Sequence, residues 1–265
     1  MKLFHRTMGH GRPLVILHGL LGMSDNWISI GRSLAEYYNV WIPDQRNHGR
    51  SPHHEEHTYE ALAEDLKLFL HQHSIEKPIL VGHSMGGKAA MHFAAQYPES
   101  LSSLVVVDIA PVSYLDRTGS GRQEHRIILN AMAGIDLSLV KTRTEAENRL
   151  SEAIHSPRIR QFILKNLSRN EQDEFSWLCN VPVLLKSLNH IMGSAGQTMT
   201  PWLSPRTLFV RGALSDYISP ADEGRIRSLF PDAGIVTIQG AGHWVHAEAP
   251  KEFLDTLLGF LQETS

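Results

Sequence analysis

Val81-Gly82-His83-Ser84-Met85-Gly86-Gly87 decides how the chain is read. The apolar run Ile79-Leu80-Val81 leads into it, and the small-residue helical pattern Lys88-Ala89-Ala90-Met91-His92-Phe93-Ala94-Ala95 leads out. A G-x-S-x-G pattern between a strand and a helix is the mark of a nucleophile elbow. The serine there sits on a strained, very tight turn, and side chains two residues to either side would collide. Its hydroxyl then stands at a helix N-terminus, where the dipole and free N–H groups favour negative charge. Ser84 is the candidate nucleophile.

Outward from the elbow, short apolar runs alternate with amphipathic stretches. Leu14-Val15-Ile16-Leu17, Val40-Trp41-Ile42 and Leu104-Val105-Val106-Val107 read as strands buried on both faces. Residues 26–38 are amphipathic, with Ser24 as a candidate N-cap, and residues 58–73 carry a helical stripe of Tyr59, Leu62, Ala63, Leu66, Phe69 and Leu70. Such βα steps predict an α/β fold, a mostly parallel central sheet with helices on both faces.

From 112 to 203 the character turns helical and polar, with no strong strand run and a candidate capping box at Thr144-x-x-Glu147. Alternation resumes at Thr207-Leu208-Phe209-Val210, continues through a helix near Ala221–Phe230 and the strand Ile235-Val236-Thr237-Ile238, and ends in a helix from Pro250. The division expected is a core of residues 1–111 and 204–265 and a helical cap inserted at 112–203. Such a cap can roof the serine, and its apolar candidates are Tyr114, Phe162, Trp177, Leu178, Val183, Leu184, Met192 and Trp202.

Composition bounds the function. The chain has 265 residues, is 42% hydrophobic and carries a formal net charge of −3, with no basic footprint for nucleic acid or anionic membrane. Cys179 is the one cysteine, which rules out an internal disulfide framework and suits a reducing compartment. No stretch approaches the roughly 18 apolar residues of a membrane span, and Met1–Arg6 lacks a signal-peptide core. A soluble cytoplasmic protein, a monomer or small homo-oligomer, is expected. The sixteen histidines are scattered, without H-E-x-x-H or a Cys/His cluster, so no metal is expected and the ones at 53, 54, 57, 71 and 73 read as solvated. Gly86-Gly87 matches no phosphate-binding loop and reads as close helix–sheet packing.

A serine hydroxyl needs a base and a group that orients the base. His243, in Gly240-Ala241-Gly242-His243-Trp244-Val245-His246, follows the last strand and can reach over the same sheet edge as Ser84. His246 is its competitor, closer to the last helix. His92 lies inside the elbow helix, and His18 and His83 read as loop-packing residues. A developing oxyanion needs rigid N–H donors. Met85, the residue after the nucleophile, offers one, and Leu20, in the glycine-punctuated loop His18-Gly19-Leu20-Leu21-Gly22, offers the other. Asp44 and Arg46 read as a buried hydrogen-bonding scaffold below the site, with anion binding by Arg46 as the alternative.

Six segments together resemble the α/β-hydrolases of the bacterial YbfF-type esterase family. They are His18–Gly22, Asp44-x-Arg46-Asn47-His48-Gly49-x-Ser51, Gly82–Lys88, Asp108-Ile109-Ala110-Pro111-Val112, Asn180-Val181-Pro182-Val183-Leu184 and Gly240–Glu248. The resemblance implies hydrolysis of short to medium acyl esters without a cofactor, with acyl-CoA thioesters as an open second class. It also bears on the acid. Most α/β-hydrolases carry it after the strand that follows the cap, in a Gly-x-x-Asp setting. Here that loop reads Gly212-Ala213-Leu214-Ser215-Asp216, so Ser215 stands in the usual place and Asp216 one residue late. The resembling esterases take their acid from the strand after the elbow, which implies Asp108; Asp216 stays open as the runner-up. The same three groups could serve a C–C hydrolase or lyase, and a ligand-binding receptor of this fold that turns over slowly is the reading from another class. A haloalkane dehalogenase is disfavoured, since its elbow would carry aspartate.

Overall fold

The computed structural model describes residues 1–117, 121–194 and 206–262. Its first half runs β1 (His5–Met8), β2 (Pro13–Leu17), a 3-10 turn (Ser24–Trp27), α1 (Ile28–Leu34), β3 (Asn39–Pro43), α2 (Tyr59–Gln72), β4 (Ile79–His83), α3 (Met85–Gln96) and β5 (Ser103–Val107). Then come α4 (Gly121–Gly134), α5 (Arg143–Ser151), α6 (Pro157–Leu164), β6 (Leu167–Arg169), β7 (Phe175–Trp177), α7 (Val181–Lys186) and α8 (Leu188–Met192). The chain returns with β8 (Arg206–Gly212), α9 (Pro220–Leu229), β9 (Gly234–Ile238), α10 (Val245–Glu248) and α11 (Pro250–Gln262).

Seven strands form one sheet in the order β1-β3-β2-β4-β5-β8-β9, parallel except for β1, which pairs antiparallel with β3. The apolar runs occupy its centre, where β4 and β5 are buried at every position. Alternate residues serve opposite faces. Val15, Leu17, Leu80, Leu104 and Val106 pack with α2 and α3, while Leu14, Ile16, Ile79, Val81, Val105 and Val107 pack with α1 and α11. The apolar side chains of α4–α8 join the first of these two clusters.

Several local expectations shift. β1, His5-Arg6-Thr7-Met8, is a polar edge strand without an apolar run, so it carries little period-2 signal. The helix expected over 26–38 is confined to Ile28–Leu34, and Ser24 is no helix cap: it sits inside the 3-10 turn, its N–H donating to Asp44 Oδ1 at 2.6 Å. The capping pair of α5 lies two residues earlier than Thr144–Glu147. Thr142 Oγ1 accepts from Glu145 N at 3.2 Å, and Glu145 Oε2 accepts from Lys141 N at 2.8 Å. The polar middle segment also holds an antiparallel ribbon, β6 with β7, whose three-residue strands are too short to show a period.

Candidate active site

Parallel strands bring their carboxyl ends to one edge, and the candidate residues collect there. Ser84 follows β4, Asp108 follows β5, Gly212 ends β8 and His243 lies beyond β9. Ser84 has φ 53° and ψ −120°, a conformation that costs a non-glycine residue about 1–3 kcal/mol. The turn is possible because its flanks lack side chains. A Cβ on Gly82 would lie 2.4 Å from Gly86 O, and one on Gly86 would lie 2.5 Å from the carbonyl oxygens of Leu17 and His18.

A continuous hydrogen-bonded chain crosses the strand ends. His243 Nε2 is 3.0 Å from Ser84 Oγ, and His243 Nδ1 is 2.8 Å from Asp108 Oδ2. Asp108 is wholly buried. Its Oδ1 accepts from Gly212 N at 3.0 Å, and its Oδ2 also accepts the hydroxyl of Ser215. Burial raises the Asp108 carboxyl above the usual carboxylate range, and these two donors oppose that shift. Burial also holds the His243 imidazole below its ordinary value, which keeps it neutral and able to accept a proton. Asp216, by contrast, is exposed, one residue past the hydroxyl that reaches Asp108.

The loop that carries His243 is gripped from below and from the side. His83 Nε2–H donates to the carbonyl of His243 at 2.8 Å. Glu248 accepts from Gly242 N at 2.6 Å and Trp244 N at 3.3 Å, and it pairs with Arg158 of α6 at 2.8 Å. Gly212 lets this loop lie on the end of β8, since a Cβ there would be 2.3 Å from Gly242 O.

Opposite His243, the loop after β2 leans on the serine. A Cβ on Gly19 would lie 3.2 Å from Ser84 Cβ, so the next residue, Leu20, is held beside it. His18 fixes this loop: its Nδ1–H donates to Gly19 O at 2.9 Å while Nε2 accepts from Gln45 N at 3.0 Å. Met85 opens α3, and the first N–H groups of a helix have no acceptor within it.

The cavity over Ser84, about 120 Å³, is lined by Leu20, Leu21, Trp27, Ile128, Ile159 and Phe162 among its apolar groups, together with His125, Tyr217, Trp244 and His246. Of the cap candidates among the described residues, Phe162 alone is there. Tyr114 is buried elsewhere, its hydroxyl held between Ala110 N and Tyr217 O. Trp177 turns inward, Nε1 donating to Met132 O at 3.1 Å, and Leu184 and Met192 are buried in the apolar core. Leu178 and Val183 do not line the cavity, and Trp202 lies outside the described residues. Residues that sequence reasoning missed include Tyr217, His125 and Trp27, none of which carries a motif. Trp27 stacks on His246, the competitor base, with ring centroids 3.8 Å apart, and the imidazole that meets Ser84 Oγ is that of His243.

Of the histidines read as solvated, His53, His54 and His71 are exposed and His73 is half-buried, while His57 is buried. His18, His48, His57, His83, His92 and His246 are buried, and burial lowers His18 to about 4 and His48 and His83 to about 3. Asp44 and Arg46 are both buried and hydrogen-bonded, each through partners of its own. Asp44 accepts from Ser24 N and Arg50 N, while Arg46 Nε donates to Asp65 Oδ2 at 2.5 Å, which commits its charge. Among the described residues no three His, Cys, Asp or Glu side chains converge as metal ligands, and no helix is long and apolar enough to cross a membrane.

Known proteins share this architecture. The family model described as alpha/beta hydrolase fold matches residues 12–250. The chain is 38% identical to the sn-1-specific diacylglycerol lipase ABHD11 of Mus musculus, over 94% of this chain and 80% of the relative. It is 36% identical to esterase YbfF of Escherichia coli, over 95% and 93%. A solved marine microorganism esterase superposes with a TM-score of 0.94 at 45% identity, covering 98% of this chain and 99% of its own. The strand order, the serine elbow after β4 and these matches over nearly the whole length agree: the chain belongs to the α/β-hydrolase fold family.

Proposed function

We propose that the protein is a serine carboxylesterase that cleaves small acyl esters through an acyl-enzyme, with Ser84 as nucleophile, His243 as base and Asp108 as acid. The observation that carries the reading is the unbroken chain Ser84 Oγ–His243–Asp108 beneath a largely apolar cavity. Ser84 Oγ attacks the ester carbonyl while His243 Nε2 takes its proton. The imidazolium so formed donates Nδ1–H to Asp108 Oδ2, which fixes the tautomer and offsets the new charge. The carbonyl oxygen, now negative, is met by the N–H groups of Leu20 and Met85. His243 then returns the proton to the leaving alcohol, and a water activated by the same imidazole releases the acid.

Residues 112–203 act on this reading as a cap, whose Ile128, Ile159 and Phe162 form the apolar wall. The cavity is slightly smaller than an engineered one of roughly 150 Å³ that accepts benzene, which favours short acyl groups. No cofactor enters this chemistry. The near-neutral charge and the buried Cys179 support a soluble protein of a reducing, cytoplasmic compartment.

The test is Ser84→Ala assayed with p-nitrophenyl butyrate. Release of p-nitrophenol is expected to fall to the uncatalysed background, and labelling by a fluorophosphonate probe to vanish with it. Undiminished turnover in that variant would refute the reading.

A further inference from the structure

The two nitrogens of His243 are occupied in the plane of the ring, by Asp108 and by Ser84. In-plane bonds fix its edges but leave it free to rock about the line that joins them. One face, however, is covered. Tyr217 lies flat on the imidazole, with ring centroids 3.9 Å apart and planes within 19° of parallel. Among the described residues no other ring is arranged this way: His83 is tilted by 43° at 4.8 Å and Trp244 by 55° at 6.2 Å.

Tyr217 is itself held at three points. Its N–H reaches Ser215 Oγ at 3.3 Å, the hydroxyl that also serves Asp108. Its carbonyl accepts from the hydroxyl of Tyr114 at 2.5 Å. Its own hydroxyl is 3.2 Å from Nε2 of His125, on α4. The phenol is therefore a fixed, buried wall whose outer end is held by the segment between β5 and β8.

An aromatic face attracts a cation placed over it within about 6 Å, and more strongly when water is excluded. On the esterase reading, upon which this inference rests, His243 becomes such a cation as Ser84 attacks. We propose that Tyr217 is a positioning residue that fixes the plane of His243 and stabilises its imidazolium, with His125 of α4 holding Tyr217 in place. The other titratable groups around the ring are Asp108 from the end of β5, His83 from β4, Asp216 in the loop of Tyr217, Glu248 from α10 and His125 from α4. All of them remain when the phenol is replaced, so the charges around the ring are the same in every variant.

The experiment compares Tyr217→Leu and Tyr217→Phe with the parent enzyme, using p-nitrophenyl acetate across pH and counting active sites with a fluorophosphonate. Leucine keeps apolar cover on that side but has no π face. For Tyr217→Leu, kcat per active site is expected to fall about tenfold. The acid limb of kcat/KM moves to lower pH in the same variant, because an imidazolium without the stack gives up its proton more readily. Tyr217→Phe restores the limb and most of kcat. Loss of packing alone would admit water and leave the limb in place or raise it. An unmoved or raised limb in Tyr217→Leu, or a phenylalanine variant no better than leucine, overturns the proposal while parent turnover keeps the esterase reading intact. A parent enzyme that neither turns over nor labels overturns both. Tyr217→Met, equally apolar and without a ring, carries the same comparison if leucine does not fold.

Discussion

Ser215 donates its hydroxyl to Oδ2 of Asp108, the same carboxylate oxygen that faces Nδ1 of His243. Ser215, just past the end of β8, thus supports the carboxylate that the proposed triad takes from the end of the neighbouring strand β5. Burial already raises the Asp108 carboxyl, and the Ser215 hydroxyl is the larger of the two hydrogen bonds that oppose it. Ser215→Ala removes a donor to the charged form, so the carboxyl rises further and activity is lost at a higher pH on the acid side. A hydrogen bond to a charged group is worth about 1.5–3 kcal/mol, and a shift of roughly one pH unit or more follows. The apparent value belongs to the Asp108–His243 pair. The check is the pH profile of kcat/KM, and an acid limb that stays in place would count against this role for Ser215.

The two aspartates separate cleanly in the same assay. Asp108→Asn keeps the shape but presents an amide to Nδ1, which favours the wrong imidazole tautomer; a comparable change in a serine protease costs about 10⁴ in kcat. A similar loss is expected here. Asp216 is exposed and acts on His243 only through its charge, so Asp216→Asn is expected to change kcat by less than about threefold. Steady-state kinetics on a short p-nitrophenyl ester distinguishes them, and a larger loss from Asp216→Asn would reverse the assignment.

What could be read from the chain was whatever local chemistry determines. β2, β4 and β5 are continuous apolar runs because helices cover both faces of the sheet, and the elbow is legible because only glycine fits beside Ser84. His243 is legible because a glycine-rich loop after the last strand has one histidine able to reach the sheet edge. The cavity wall is another matter. In α4 the neighbours Ile127, Ile128 and Leu129 look alike in sequence, yet Ile127 is exposed, Ile128 lines the cavity and Leu129 is wholly buried. Tyr114 and Trp177 have the apolar bulk of pocket residues, but their polar atoms are drawn to carbonyls and amides elsewhere. Tyr217 has its role only because β8 and the loop after β9 end side by side, a contact with no local signature.

Arg46 offers a stability test away from the chemistry. Its side chain and that of Asp65 are 8% and 4% exposed and meet at 2.5 Å, while Glu56, the second carboxylate near Arg46, is half exposed at 3.8 Å. Removing one member of a buried pair costs about 3–5 kcal/mol where the other charge is left alone, but Asp65 keeps a second cation, the N-terminal ammonium of Met1 at 2.8 Å. Arg46→Met is therefore expected to lower unfolding free energy by less than that, about 1–3 kcal/mol, in urea titration. Arg46→Met combined with Asp65→Leu is expected to lose less than the two single changes summed, since neither the guanidinium nor the carboxylate is left without the other. A cost below about 1 kcal/mol for Arg46→Met would show that the pair is open to water.

Acyl length is the property most directly set by the cavity wall. Phe162 stands on α6, its ring 5.5 Å from that of Trp244 beside the base, and closes a space of about 120 Å³ with Ile128 and Ile159. On the esterase reading this wall faces the acyl chain and sets how long a chain is taken in. The parent enzyme is therefore expected to prefer p-nitrophenyl acetate and butyrate to the octanoate in kcat/KM. Phe162→Ala removes a benzyl group's volume from the wall without touching Ser84, Asp108 or His243. Each methylene accommodated in an apolar pocket is worth about 1 kcal/mol or more, so the octanoate-to-acetate ratio is expected to rise at least about tenfold. The acetate rate should change far less, because a two-carbon acyl group does not extend to that wall. If the ratio stays fixed while acetate turnover falls, Phe162 supports the His243 loop through Trp244 and does not limit the acyl chain.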